Sequence, residues 1–304
     1  MTTHYLDVDD LSRDQLLAVL DRADELKRDR RPLDALRGTF IGMIFEKPST
    51  RTRVSFEVGI TELGATPVVL SASELQLGRG ETIEDTARVL SRYLHGLVVR
   101  TFGQERLEAL ASAGSIPVIN ALSDYAHPCQ ALADLQTIRE RKGRLEGLTL
   151  AYLGDGNNVA HSLLRAGALA GMHVRVASPA GHEPAEQVVS EAAEVAAATG
   201  GSVTVTADPL EAARGADAVY TDVWASMGQE HEREARLRAL RGYQVDERVV
   251  AAAADDALVM HCLPAHRGEE ISATVLDGPQ SVVWDQAENR LHSQKALLLH
   301  LYGV

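Results

Sequence analysis

The chain has 304 residues, about twice the length of a typical ~150-residue domain, so two domains or one large α/β unit is expected. Its composition, 45% hydrophobic and 24% charged, is that of a globular protein and excludes a disordered or fibrous chain. The formal net charge of −13 disfavours nucleic acid or an anionic membrane surface as a partner, because both require a cationic face.

The first helices and strands alternate. A helix is expected after Ser12, which forms a capping pair with Gln15 and precedes leucines at helical spacing. Apolar strand-like runs and helical segments then follow one another: strands are predicted at 39–45, 67–70, 96–100 and 116–120, and helices at 51–64, 81–94 and 104–114. This β-α-β order indicates a mainly parallel sheet with helices on both faces.

A long helix over 128–142 separates this half from a second series of the same kind. The strands of the second series are predicted at 148–154, 173–178, 202–206, 217–222 and 257–261. A last helix is expected to start at a cap pair formed by Asp285 and Glu288.

The predicted fold class is therefore α/β, with two lobes joined by interdomain helices. Each lobe contains a mainly parallel sheet flanked by helices. The predicted domains are residues 1–135 and residues 147–284. We expect the C-terminal helix, 285–304, to pack back on the first domain.

Cysteine content and the N-terminus bear on the cellular compartment. Cys129 and Cys262 are the only cysteines, which excludes a disulfide scaffold and favours a reducing compartment. The first residues, MTTHYLDVDD, are acidic where a targeting peptide would be basic and apolar, and no apolar run approaches the ~20 residues of a membrane span. We therefore expect a cytoplasmic protein with no membrane partner.

A cationic motif, EKPSTRTR, directly follows the first strand of the series. Ser49 suits the N-cap of the next helix, and Lys47, Arg51 and Arg53 stand around its first turn, where acidic residues are usual. Positive charges beside a helix N-terminus are unfavourable unless an anion shares the site. Three hydroxyl groups complete the motif, those of Ser49, Thr50 and Thr52. The motif therefore suits a phosphate; the alternative is an exposed basic turn in which Arg53 pairs with Glu57.

Two later strand ends of the first half also carry polar side chains. Arg100 ends a strand, where its guanidinium can bind an anion, although a lone arginine there is also typical of a surface salt bridge. The sequence HPCQ places His127 at the cap of the long helix and Gln130 in its first turn. We expect a neutral imidazole that can donate a hydrogen bond to a carbonyl, or else a purely structural histidine. Cys129 is expected to be buried rather than nucleophilic.

The second half opens with GDGNN, which resembles a degraded dinucleotide fingerprint at Gly154, Gly156, Asn157 and Asn158. The next strand ends at Ser178 rather than at the acidic residue that would hold a ribose. A nucleotide is therefore disfavoured, and the asparagines remain as neutral hydrogen-bonding groups.

Two more strand ends carry reactive or charged groups. Asp222 suits an ammonium group of a ligand, or else it caps the following turn. A zinc site built from His261, Cys262 and His266 is not expected, because no matching partner cluster is present. The chain also contains no P-loop lysine motif, no GxSxG and no HExxH, which excludes the commoner ATPase, hydrolase and metalloprotease templates.

Together these motifs resemble those of one enzyme family. STRTR with HPCQ is similar to the carbamoyl phosphate half of the transcarbamoylases, and DVWASMGQE with HCLPAHRGEE is similar to their ornithine-specific members. The resemblance follows the chain in order, down to WDQAENRLHSQKAL. It implies a carbamoyltransferase (EC 2.1.3.3) of arginine biosynthesis, which transfers the carbamoyl group of carbamoyl phosphate to the side-chain amine of L-ornithine. Residues 1–135 would bind carbamoyl phosphate and residues 147–284 would bind ornithine.

The resemblance also implies site residues. Carbamoyl phosphate would be bound by Ser49, Thr50, Arg51, Thr52, Gln76, Arg100, His127, Gln130, Cys262, Leu263 and Arg290. Ornithine would be bound by Asn158, Asp222, Ser226 and Met227. The catalytic residues would be Cys262, Arg100 and His127. No cofactor and no metal are implied.

Three further properties follow from the resemblance. The family is built on a homotrimer with active sites between subunits, its Leu-Pro bond at the position of Leu263–Pro264 is cis, and its only other partners are the two small substrates. We also expect Cys262 to adjust or receive the proton of the attacking amine rather than to form a covalent intermediate.

Other functions remain open. Aspartate carbamoyltransferases share the first half and the reaction type, but aspartate would require extra cations in the second lobe, where this chain has Asp222. The chain also has Arg79 where that relative is expected to have a catalytic lysine. Two hypotheses of other classes are a dinucleotide-dependent oxidoreductase built on residues 154–158 and a non-catalytic anion-binding protein.

Overall fold

A computed structural model of the chain describes residues 4–71, 80–225 and 232–304. These residues form two compact units: unit 1 comprises Met1–Ala133 and Asn289–Val304, and unit 2 comprises Asp134–Glu288. Four residues singled out from the sequence lie outside the described residues, namely Gln76, Arg79, Ser226 and Met227.

Unit 1 is built on a parallel sheet. Its strands are β1 (Phe40–Phe45), β2 (Thr66–Ser71), β3 (Gly96–Arg100) and β4 (Val118–Leu122). Its helices are α1 (Arg13–Arg28), α2 (Thr50–Glu62), α3 (Ile83–Leu90) and α4 (Gln104–Ala113), preceded by a 3-10 helix, Val8–Asp10. The strand order among the described residues is β2-β1-β3-β4, and every neighbouring pair is parallel.

Unit 2 is built on a second parallel sheet. Its strands are β5 (Thr149–Leu153), β6 (His173–Ala177), β7 (Ser202–Thr206), β8 (Ala218–Thr221) and β9 (Leu258–His261), in the spatial order β7-β6-β5-β8-β9. Two helices each contain residues of both units, α5 (Pro128–Lys142) and α12 (Val283–Tyr302). The helices between them are α6 (Asn158–Leu169), α7 (Glu186–Thr199), α8 (Pro209–Ala213), α9 (Arg233–Leu240), α10 (Glu247–Ala252) and α11 (Ala273–Leu276), with a 3-10 helix at Arg241–Tyr243.

The α/β class with two parallel sheets is confirmed. Local signals account for most elements: the Ser12 hydroxyl accepts from the Gln15 backbone N–H at the start of α1, and the Gln15 side chain accepts from the Ser12 N–H. One core cluster of unit 1 lies between its sheet and helices α3 and α4, and β3 is buried throughout. None of the helices in the described ranges combines the length and the apolar composition that a bilayer crossing requires.

Two predicted helix boundaries are wrong. The helix predicted at 81–94 ends at Leu90, and the N–H groups of Arg92 and Tyr93 then donate to carbonyls three residues earlier, as in turns. The C-terminal helix begins at Val283, two residues before the predicted cap. Asp285 therefore lies in the first turn, where its carboxylate pairs with Arg141 rather than capping the helix.

A buried lysine attaches the end of α12 to α2 within unit 1. Lys295 is fully buried, and its Nζ donates to Glu62 Oε2 at 2.8 Å. Gly59 leaves room for the lysine stem, since a Cβ there would lie 3.2 Å from Lys295 Cγ. Arg30 pairs with the same carboxylate at 2.9 Å. Burial raises the pKa of Glu62, but hydrogen bonds from Lys295 and Arg30 outweigh it and hold the pKa below its usual range.

Lys295→Met is expected to lower the free energy of unfolding by about 1.5–3 kcal/mol at pH 7, the usual worth of a hydrogen bond to a charged group. Because the pKa of Glu62 is lower in the folded than in the unfolded protein, its contribution is complete above pH ~4.5 and is lost as the pH falls through the folded pKa. The difference between the wild type and the variant should therefore shrink in acid, as measured by urea unfolding at several pH values.

The control is Arg22→Ala, which breaks an exposed pair with Glu25 and should lower the free energy of unfolding by under ~0.5 kcal/mol. Equal losses for the two variants, or a Lys295→Met loss that persists unchanged at pH 3, would contradict this account of the pair.

Candidate active site

The parallel register of unit 1 brings three segments to one edge of its sheet. Phe45, the last residue of β1, is level with Arg100, the last residue of β3. Arg100 is in turn level with Leu122, the last residue of β4, after a register shift between Val99 and Arg100. The segments that follow β1 and β4 therefore begin beside Arg100, at the carboxyl edge where α/β sheets bind ligands.

The start of α2 is a polar helix N-terminus without acidic residues. Ser49 is its N-cap, and the Ser49 hydroxyl accepts from the Thr52 backbone N–H at 3.2 Å. Thr50, Arg51 and Thr52 form the first turn. The free N–H groups and the positive end of the helix dipole at this point favour an anion.

The other two cations of the motif have different surroundings. Arg53 is exposed, and its Nε lies 3.5 Å from Glu57 Oε2, the pairing that the alternative interpretation predicted for this residue. Lys47 is buried, pairs with Asp124 and lies 4.5 Å from the centroid of the Phe102 ring. The third cation of the motif, Arg51, lies in the first turn of α2.

Arg290, from α12, connects the start of α2 with the start of α5 inside unit 1. Its Nη1 donates to Gln130 Oε1 at 2.6 Å, and its Nη2 donates to Thr52 Oγ1 at 3.1 Å. The three side chains are buried, with at most 4% of their surface exposed. The sequence motifs containing Thr52, Gln130 and Arg290 therefore meet in one cluster.

Gln294 also belongs to this cluster, and sequence reasoning missed it. With its amide oriented to satisfy both groups, its oxygen accepts from Arg290 Nη2 at 3.1 Å and its nitrogen donates to the Ser55 hydroxyl at 2.7 Å. Gln294 lies one helical turn after Arg290 and is buried. The only signal in the sequence was this spacing, since a glutamine on an apolar helix face does not by itself indicate a partner.

His127 has the position and charge state expected for it. Its backbone carbonyl accepts from the N–H groups of Gln130 and Ala131, so α5 begins at Pro128 as predicted. Burial, followed by the positive charges of Arg290, Arg100 and Arg51, holds the pKa of His127 well below its ordinary value. The imidazole is therefore neutral at physiological pH and can donate one hydrogen bond to a carbonyl oxygen.

Cys129 has the surroundings of a structural cysteine. It is fully buried, and its thiol donates to the Asn120 carbonyl at 3.3 Å. Burial raises the pKa of the thiol to about 12, although the charge of Arg290 lowers it in part. The expectation that Cys129 is buried is confirmed.

The register of unit 2 brings its own strand ends together. Leu153, the last residue of β5, is level with Thr221, the last residue of β8, which is level with His261 at the end of β9. The next residues along β8 and β9 are Asp222 and Cys262. The turn after β5, Asp222 and Cys262 therefore share the carboxyl edge of the second sheet.

Asp222 is a buried carboxylate held from two sides. Cys262 Sγ donates to its Oδ1 at 2.9 Å, and Asn157 Nδ2 donates to its Oδ2 at 2.9 Å. Asn157 is also the N-cap of α6, where its side-chain oxygen accepts from two backbone N–H groups. Sequence reasoning named both asparagines as hydrogen-bonding groups but expected only Asn158, the half-buried first residue of α6, to bind the acceptor. It missed the contact between Asn157 and Asp222.

The turn after β9 carries the predicted cis peptide bond. The Leu263–Pro264 bond is cis, which confirms the expectation. Ligand atoms of Asp222, His261 and Cys262 lie within 4.8 Å of one another. Both nitrogens of His261 are hydrogen-bonded and the Cys262 thiol already donates to Asp222, so a metal ion here would have to break these bonds.

The described candidate site residues are divided between the two units. Unit 1 holds Ser49, Thr50, Arg51, Thr52, Arg100, His127, Gln130 and Arg290. Unit 2 holds Asn158, Asp222, Cys262 and Leu263.

Comparison with known proteins assigns the chain to a family. Residues 3–140 match the carbamoyl-P binding domain of aspartate/ornithine carbamoyltransferases, and residues 146–301 match the Asp/Orn binding domain of the same family. The chain belongs to the aspartate/ornithine carbamoyltransferase family. The resemblance stated from the motifs is confirmed, and with it the expectation of a carbamoyltransferase.

Several members of this family are similar over their whole length. The ornithine carbamoyltransferases of Parafrankia sp. and Acidothermus cellulolyticus are each 64% identical to the chain, over 98% and 99% of it and 95% and 97% of their own length. The structure of ornithine carbamoyltransferase from Pyrococcus furiosus superimposes with a TM-score of 0.96 at 50% identity, covering 100% of this chain and 98% of that one.

Proposed function

We propose that this carbamoyltransferase uses L-ornithine as acceptor and carbamoyl phosphate as donor, forming L-citrulline and phosphate in arginine biosynthesis. The Asp/Orn binding domain of the family is named for two acceptors, aspartate and ornithine, whose side chains carry opposite charges. The observation that carries the choice is Asp222, a buried carboxylate at the carboxyl edge of the unit 2 sheet. A carboxylate attracts ornithine, which has two amino groups and one carboxylate, more than aspartate, which has one amino group and two carboxylates.

Carbamoyl phosphate is proposed to bind to unit 1, within residues 1–135 and the C-terminal helix. The backbone N–H groups and hydroxyls at the start of α2 would hold the phosphate, and Arg51 and Arg290 would neutralise its charge. The burial of Arg290 supports its role, because a guanidinium beside a dianion interacts more strongly where water is excluded. Gln76 is proposed to assist from outside the described residues.

Arg100, His127 and Gln130 are proposed to bind the carbamoyl oxygen. Negative charge builds on this oxygen as the tetrahedral intermediate forms, so donors already aimed at it stabilise the transition state more than the ground state. A neutral His127 suits the role, because its N–H is available without a proton being taken up first.

Unit 2, residues 147–284, is proposed to bind ornithine. Asp222 and Asn158 would bind its polar groups, together with Ser226 and Met227 from outside the described residues. The attacking amine must be neutral, and since a lysine-like amine has a pKa of about 10.4, its neutral form lies about 4–5 kcal/mol above the charged form at pH 7. The amine nitrogen then bonds to the carbamoyl carbon, the bond from that carbon to the phosphate oxygen breaks, and the amine loses a proton.

Cys262 is proposed to act on that proton rather than as a nucleophile. Its thiol donates to Asp222 at 2.9 Å, so the pair can relay a proton while the carboxylate stays in place. Leu263, the next residue, is proposed to line the reaction centre. Detection of a carbamoyl thioester on Cys262 during turnover would reject this role.

The proposed assembly is a homotrimer with active sites at subunit interfaces, located in the cytoplasm. Both cysteines are free thiols, which agrees with a reducing compartment. Sedimentation equilibrium at three times the chain mass is the expected result, and a monomer that retains full activity would contradict it.

The function is tested with one donor and several acceptors. With carbamoyl phosphate present, we expect kcat/KM for ornithine to exceed that for aspartate, N-acetylornithine and putrescine by at least ~10²-fold, since each of these lacks or changes a charged group that a buried site must match. Product formation is measured as citrulline and as released phosphate. A preference for another acceptor would overturn the assignment. Thermal stabilisation by NAD but not by carbamoyl phosphate would instead support the oxidoreductase hypothesis.

A further inference from the structure

The turn that carries Cys262 has an unusual backbone at its next residue. Leu263 has a φ of 59°, and within the described ranges it is the only non-glycine residue with a positive φ. Left-handed backbone is unfavourable for a residue with a Cβ, so other contacts have to maintain it. One such contact comes from His261, two positions earlier: its Nδ1 accepts from the Leu263 N–H at 2.8 Å.

This hydrogen bond determines the tautomer of His261. Because Nδ1 accepts a hydrogen bond, it carries no proton, and the proton of the neutral ring lies on Nε2. Nε2 is 3.1 Å from Glu270 Oε1, which can accept that proton's hydrogen bond. Both side chains are fully buried.

Glu270 is held in turn by the loop that follows the turn. Its Oε1 also accepts from the His266 backbone N–H, so one oxygen receives two hydrogen bonds. The backbone N–H of His261 donates to Gln286 Oε1 at 2.9 Å, which holds the end of β9. Continuous hydrogen bonds therefore link Glu270 to His261 and His261 to Leu263, the residue directly after Cys262.

We propose that Glu270 and His261 are positioning residues for the carbamoyl transfer. Glu270 selects the Nε2–H tautomer of His261, and the Nδ1 lone pair then holds the Leu263 N–H, so that Cys262 faces Asp222. Without Glu270, the ring can carry its proton on Nδ1, where it would oppose the Leu263 N–H and release the turn. The effect on catalysis rests on the proposed function of Cys262, whereas the effect on the thiol itself does not.

Two variants of Glu270 distinguish the effect of its hydrogen bonds from the effect of its side-chain volume. In Glu270→Gln the amide oxygen can replace Oε1 and accept from both His261 and His266. Its nitrogen would replace Oε2, which has no hydrogen-bond partner among the described residues. Glu270→Leu keeps a similar volume and removes the acceptor. We expect kcat within ~3-fold of the wild type for the glutamine variant and reduced by at least ~30-fold for the leucine variant.

Two variants of His261 test the tautomer independently. The oxygen of an asparagine side chain can replace Nδ1 and accept from Leu263, whereas the amide nitrogen of a glutamine can replace Nε2 and donate to Glu270. If the lone pair on Nδ1 is what holds the turn, His261→Asn should keep at least ~10-fold more activity than His261→Gln. The reverse order would overturn the proposal.

Alkylation of Cys262 by iodoacetamide provides a readout that does not depend on the reaction. Cys129 is fully buried and its pKa is raised to about 12, so the folded protein should label at Cys262 alone. We expect Glu270→Leu to change the labelling rate by at least ~5-fold and Glu270→Gln to leave it unchanged, with circular dichroism confirming that both variants are folded.

Each outcome has one meaning. If Glu270→Leu does not fold, the rates of Cys262 alkylation in His261→Asn and His261→Gln are compared instead. Equal labelling in the leucine, glutamine and wild-type proteins overturns the positioning role, even if the wild type forms citrulline. A wild type that forms no citrulline, with labelling rates that follow the expected order, instead rejects the proposed function and retains the positioning of the thiol.

Discussion

Replacing His127 with alanine is expected to lower kcat by about 10²–10³-fold, the usual loss of one oxyanion-stabilising donor, or about 3–4 kcal/mol. The side chain is 5% exposed and lies under the influence of Arg290, Arg100 and Arg51, so water cannot easily replace its N–H. The KM for ornithine should change by less than ~3-fold, because the lost interaction strengthens only as the transition state forms. Steady-state kinetics with each substrate varied in turn provide the measurement.

The pH dependence distinguishes a donor from a base. Burial and the neighbouring arginines hold the pKa of His127 well below its ordinary value, so the ring is neutral at physiological pH and stays neutral as the pH rises. The rise of kcat/KM for ornithine toward alkaline pH should therefore persist in His127→Ala, since it reflects the amine of the substrate. The control is His173→Ala, whose ring contacts Ser202 at the surface of unit 2 and which should keep full activity. An alkaline rise that disappears in His127→Ala would show that the ring acts as a base.

The sequence predicts the strands, and hence the residues that meet at each carboxyl edge. Apolar runs bounded by helical segments identify β1 to β9, and in a parallel sheet the strand ends are level whatever the order of the strands. Ser49 and His127 were placed at helix starts by cap and proline signals, which are local in the chain. For this reason Arg100 and Asp222 could both be recognised as strand-end groups.

What the sequence could not predict are contacts between distant residues. Arg290 donates to a residue 160 positions away and to another 238 positions away, and no local pattern encodes either bond. The Asn157–Asp222 bond spans 65 positions and depends on β5 and β8 being neighbours, which only the strand order establishes. His261 and Glu270 are near in sequence, but the sequence does not reveal the direction of a hydrogen bond, so it suggests no role for His261 beyond the disfavoured zinc site.

The second large effect is expected at Asp222. Asp222→Asn keeps the shape of the side chain and one oxygen. In the wild type Asn157 Nδ2 donates to the carboxylate at 2.9 Å, and the remaining oxygen can accept this bond in the variant. The substitution removes the charge that would bind an ammonium group and leaves Cys262 without an anionic acceptor. Truncating one partner of a buried, hydrogen-bonded charge pair costs about 2–5 kcal/mol, so kcat/KM for ornithine should fall by at least ~30-fold.

Comparing the effect of Asp222→Asn on ornithine with its effect on carbamoyl phosphate shows whether Asp222 binds the acceptor or only supports the fold. Carbamoyl phosphate is assigned to unit 1, so the thermal stabilisation it gives should be the same in Asp222→Asn as in the wild type. Asp217→Asn is the matched control: Asp217 precedes the same strand at its opposite end, and its carboxylate accepts from the Thr149 backbone N–H at 2.8 Å. That variant should lose some stability and keep its KM for ornithine. Equal changes of KM in the two variants would show that Asp222 acts through the stability of β8, and the argument for ornithine over aspartate would then lose its structural basis.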